Sequence, residues 1–100
     1  MQTLEEIRAE VARVYRDHLP ARLDRLSSAE QDAMCDRIAE TVLDEADELA
    51  PEMRAAAIAE ETVRLGQHPD YLATVAIGRT ARAQAIRQVM DEQVYSLVKQ

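Results

Sequence analysis

Apolar residues recur at three- and four-residue steps along almost the whole chain, the period of an α-helix packed on one side. Leu4, Ile7, Val11, Val14 and His18 form the first stripe, and Thr3 with Glu6 stands ahead of it as a capping box. A first helix is predicted over about residues 4–19, stopping near Pro20. A short helical segment over about 20–26 follows, with Leu23 and Leu26 able to dip into a core. Ser27 and Glu30 make a second capping box and open a helix over about 28–49. Pro51 suits the first position of a third helix, about 51–65, closed by Gly66. The His68-Pro69-Asp70 turn then launches a long fourth helix over about 70–98.

These segments divide differently when wound at about 100° per residue. The 28–49 segment gathers Met34, Cys35, Ile38, Ala39, Val42, Ala46 and Leu49 on one side and its acids on the other. The 51–65 segment is mostly alanine, which lets a neighbouring helix approach but buries little area. The fourth helix has a main stripe of Leu72, Val75, Ala76, Ala83, Ile86, Met90, Val94 and Leu97. A second apolar set, Ile77, Tyr95 and Val98, lies away from it. Apolar residues on two sides call for burial on two sides, so that second set is the expected homodimer interface. The expected object is an all-α single domain over 1–100, a compact bundle of about four helices, dimeric through its long C-terminal helix.

Composition supports that class. Two glycines and three prolines in 100 residues are too few turn formers for an all-β chain, and no internal repeat is evident. Alanine supplies 17 of the hydrophobic residues, so a single modest core is expected and a partner subunit would help to bury it. No apolar run approaches the ~20 residues of a membrane span. The opening MQTLEEIRAE carries acids where a secretory leader carries an apolar stretch. Cys35 is the only cysteine, so no internal disulfide can form, and a reducing, cytoplasmic setting is expected.

Charge is unevenly placed along a chain of net charge −7. Residues 27–61 hold eleven acids against Arg37 and Arg54, while residues 62–100 carry a small basic excess. Asp32, Asp36, Glu40, Asp44 and Glu48 succeed one another at four-residue steps, joined by Asp47. Like charges at that spacing cost a helix a few tenths of a kcal/mol per pair. They read either as a solvated face neutralised by arginines of other helices or as a docking surface for a basic protein partner. Arg79 and Arg82 fall on or beside the apolar stripe after Gly78, where a cation needs an acid or carbonyl partner. With Arg87 they are the alternative candidates for contact with an anion or nucleic-acid phosphate.

Catalytic and metal chemistry find little to build on. His18 and His68 do not complete a Glu-x-x-His pattern, and Lys99 is the only lysine to set beside Glu45, Glu48, Glu60 and Glu61 in a phosphate-and-magnesium arrangement. Cys35 lies among apolar residues with no evident base. No glycine-rich phosphate loop or serine nucleophile motif occurs. No catalytic residue, metal or cofactor is expected.

A helix-turn-helix can be sketched around the Gly66–Pro69 turn, but the first turns of its recognition helix, DYLATVAI, hold no base. Nucleic acid is thus a weak expectation for so acidic a chain. The expected function is a non-enzymatic interaction or regulatory module whose acidic face docks a basic partner. Abundant Ala, Arg, Asp and Glu with scarce lysine suggests a bacterial or phage source, and an inhibitor of a nucleic-acid-binding factor suits the charge and size. A DNA-binding regulator using the basic fourth helix and a structural assembly subunit are the alternatives.

Overall fold

The computed structural model describes residues 2–98 as an all-helical chain with three principal helices. Helix α1 (Leu4–His18) starts where the Thr3 hydroxyl accepts the Glu6 backbone N–H at 3.2 Å and donates to the Glu6 carboxylate at 3.0 Å. A 3₁₀ turn at Pro20–Arg22 and an irregular stretch carry the chain into α2 (Ser28–Leu65). The capping box at that junction is complete: Glu30 N–H bonds Ser27 Oγ at 3.1 Å, and Ser27 N–H bonds the Glu30 carboxylate at 3.0 Å. Helix α2 ends at Gly66, whose φ of 76° is a left-handed conformation costly for a residue with a Cβ. The Asp70 side chain accepts the Ala73 N–H at 2.8 Å and opens α3 (Tyr71–Met90). The chain then continues through a π-helical turn, Asp91–Tyr95, into a last turn, Ser96–Val98.

Two boundaries differ from expectation. The 28–49 and 51–65 segments form one helix of 38 residues with Pro51 inside it, so the bundle has three helices instead of about four. Proline removes one helical hydrogen bond and crowds the carbonyl four residues earlier, here Asp47, but its fixed φ is itself helical. Leu49, Ala50 and Met53 pack against the core on both sides of Pro51, and that packing carries the helix through. The segment expected to be helical over 20–26 is helical only at Pro20–Arg22.

The core sits at one end of the molecule. Ile7, Val11 and Val14 of α1 meet Ala39, Val42 and Ala46 of α2 and Ile86, Val89, Met90 and Val94 of the C-terminal helix, all buried. Helix α2 at 1.5 Å per residue is about 57 Å long, which matches the 57 Å long axis of the molecule. Helix α1, with 15 residues, covers less than half of that length. Beyond it, the second half of α2 and the first half of α3 run on side by side as a two-helix arm, antiparallel. Gln93 bonds Glu45 at 3.1 Å in the body, and the Arg54 side chain lies over Gly78 in the arm. None of the described helices is long and apolar enough to cross a membrane.

Candidate functional site

The acidic side of α2 divides into two groups. Asp36 and Asp32 are taken up by Arg8 of α1, which forms a close ion pair with Asp36 and stands 3.5 Å from Asp32. The Asp36 carboxylate holds the Arg8 guanidinium above its already high pKa, first by hydrogen bonding and then by charge. Asp47 lies 3.8 Å from Arg82, whose guanidinium also donates to the Gln2 carbonyl at 2.6 Å. Water screens such exposed pairs, so they orient helices more than they stabilise them. Glu40, Asp44 and Glu48 are exposed, and no cation stands within 4.0 Å of them among the described residues. Because α2 does not stop at Pro51, Glu52 continues their four-residue spacing one turn further. In the sequence, the helix break expected at Pro51 separates Glu52 from the row.

Of the arginines of α3, Arg82 takes the position expected beside the stripe, with an acid and a carbonyl as partners, and Arg79 does not. Arg79 is exposed, not core-facing, because α1 ends its coverage below that level and nothing lies over the stripe there. Leu72, expected in the same stripe, is 77% exposed for the same reason. Arg82 is half-buried and carries the inter-helix ties to Asp47 and Gln2, while Arg87 is exposed. The side-by-side course of α2 and α3 differs from the steep crossing of a DNA-binding helix-turn-helix.

The second apolar set does not form one patch. Ile77 lies in the arm, half-buried beside Ala57, Glu60 and Thr80 along an open groove of about 330 Å³. Tyr95 and Val98 lie at the far end of the body, lining an open concavity of about 260 Å³ with Arg13, Val14, His18 and Asp91. Tyr95 packs against the core, and the π turn explains how. An extra residue in one turn shifts everything after Asp91 out of a constant 3.6-residue period, which brings Tyr95 against the core beside Val94. Burial, with Glu10 beside it, pushes the Tyr95 phenol above its ordinary pKa. His18, expected at the core edge, is exposed.

Features that would bind metal or perform chemistry are sparse. Among the described residues no three His, Cys, Asp or Glu side chains come together as a metal site. Glu48 and Glu60 are about 18 Å apart along one straight helix, too far to share a cation with Glu45 and Glu61. His68 Nδ1 is 2.7 Å from the Pro69 carbonyl in the α2–α3 turn. Cys35 is buried against the core, and that burial raises its thiol pKa. Its thiol is expected to react with a disulfide reagent at least about tenfold more slowly in folded protein than in urea, because both access and thiolate fraction are reduced. Equal rates in a colorimetric thiol assay would show that this part of α2 is open.

Sequence reading missed the outer end of the arm. Val63, Tyr71 and Leu72 are 85%, 79% and 77% exposed, and Leu65 is exposed beside them. No family model matches the chain, and neither a curated protein nor a solved structure matches it.

Proposed function

We propose that this chain is a non-enzymatic interaction module that docks a basic protein surface on the exposed acids of α2. The observation that supports this reading is the row Glu40, Asp44, Glu48 and Glu52, which follows one uninterrupted helix and has no cationic neighbour within 4.0 Å among the described residues. The two arginines of other helices that pair with acids of α2 among the described residues, Arg8 and Arg82, are engaged by Asp32, Asp36 and Asp47. The row therefore keeps its repulsion, a few tenths of a kcal/mol per pair, while contributing no contact to the fold. Acids spaced about 6 Å apart on a rigid rod suit a basic groove that otherwise holds a phosphate backbone. Such complementarity speeds encounter and selects partners.

The test replaces Glu40→Gln, Asp44→Asn and Glu48→Gln together. Wild-type protein is expected to retain a partner from nuclease-treated lysate and to release it as salt rises. The triple variant, equally folded by circular dichroism, is expected to lose at least about tenfold in affinity, the scale of 1.4 kcal/mol. Undiminished retention by that variant removes the reading, and retention that depends on nucleic acid moves the contact to Arg79 and Arg87.

A further inference from the structure

We infer that the arm is a contact surface for a second copy of this chain, paired antiparallel so that the apolar end of each arm lies on the alanine-lined base of the other. Four of the six exposed large apolar side chains among the described residues, Val63, Leu65, Tyr71 and Leu72, fall within ten residues at this one end. Scattered exposed apolar residues are ordinary, whereas their concentration at one end of a molecule points to a contact.

Size complementarity points to a second copy. The arm is bulky at its end and small at its base, where Ala55, Ala56 and Ala59 are exposed. The base lies roughly 9–15 Å below Leu65 at 1.5 Å per residue. A two-fold axis across the middle of the arm, near Glu60, superposes the bulky end of each copy on the small base of the other. The product is a four-helix bundle with a self-complementary interface. The half-buried Ile77 groove lies in this same arm.

Charge favours the same arrangement. Residues 51–80 hold four acids and three arginines, a net of −1, and the rest of the chain carries the other −6. Arms that overlap antiparallel keep the two acidic bodies at opposite ends, separated by more than the ~8 Å screening length of physiological salt. Contacts between bodies would press like charges together. The footprint, about 22 Å of arm by two helix diameters of about 10 Å each, is at the small end for specific association. It corresponds to a weak dimer that forms only as concentration rises. The acids replaced to test docking, Glu40, Asp44 and Glu48, lie on α2 before the arm begins, so either surface can fail without the other.

Sedimentation of the full chain over a concentration series provides the test. The mass is expected to rise from 11.3 kDa toward twice that value. The double variant Val63→Glu, Leu72→Glu is expected to weaken the dimer at least about tenfold and to keep the circular dichroism of the monomer, since both side chains are already largely exposed. Val98→Glu, at the far end of the body, is expected to leave the dimer unchanged. Added salt is expected to strengthen self-association by screening the acidic bodies, the opposite of its effect on docking to the acidic row. A monomer at every concentration overturns the inference, as does a double variant that dimerises like wild type or a dimer dissociated by Val98→Glu.

Discussion

Ile86→Ala is expected to destabilise the monomer by about 2–5 kcal/mol, the range for deleting most of a fully buried aliphatic side chain. Ile86 is 1% exposed and is one of the largest fully buried side chains, placed where α3 meets both α1 and α2. Its removal subtracts transfer free energy and leaves a cavity whose walls belong to three helices, which cannot all collapse into it at once. A domain of this size has about 5–15 kcal/mol in total, so the loss is a large share, equivalent to roughly 10 °C or more in melting temperature. Ile86→Val is expected to cost only about 0.5–1.5 kcal/mol. Urea unfolding followed at 222 nm measures both. Ile77→Ala gives the informative contrast, because Ile77 is half-buried in the arm and belongs to no part of the buried cluster. Its cost at concentrations where the chain is monomeric is expected to be below that of Ile86→Val. Equal losses at Ile77 and Ile86 would mean that the arm belongs to the cooperative core.

That contrast follows from where the third helix ends, which also separates what was legible in the sequence from what was not. The ends of elements were legible because their chemistry is local. Thr3, Ser27 and Gly66 act on backbone groups within a few residues, and each sits at its expected boundary. The inward stripe of the body was legible for a similar reason: a 3.6-residue period identifies which face is apolar, and Ile7, Val11, Val42, Ile86 and Met90 are all buried. A period does not say how far along a helix the covering partner extends. Leu72 and Arg79 continue the stripe of Ile86, yet they lie past the reach of α1 and are exposed. The mismatch between a short first helix and a much longer hairpin was the available signal, hidden by the expected break at Pro51. The π turn was illegible in another way, because wheel reasoning assumes the constant period that Asp91–Tyr95 interrupts. The acidic row was visible as a spacing, but its division into held and free acids depends on where Arg8 and Arg82 arrive from other helices.

Pro51→Ala is expected to stabilise the protein, by about 2 kcal/mol. Proline in a helix interior costs about 3 kcal/mol through its missing N–H and the clash of its ring with the carbonyl four residues earlier. Here that carbonyl belongs to Asp47, and both residues are exposed, so water relieves part of the lost hydrogen bond. The substitution also frees the unfolded chain, which returns about 0.4–1 kcal/mol. The remainder corresponds to a rise of roughly 10 °C in melting temperature. A sequence rule that places proline at helix starts predicts the opposite sign, because an N1 proline is preorganised and its replacement is neutral or destabilising. Thermal unfolding of the variant thus decides between a helix that runs through Pro51 and one that restarts there. The position also connects the two surfaces. Pro51 lies between Glu48 and Glu52 of the acidic row and at the base of the arm. A stabilised variant with a weakened dimer would mean that the proline sets the direction in which the arm leaves the body. A stabilised variant with an unchanged dimer would mean that packing of Leu49, Ala50 and Met53 sets that direction alone.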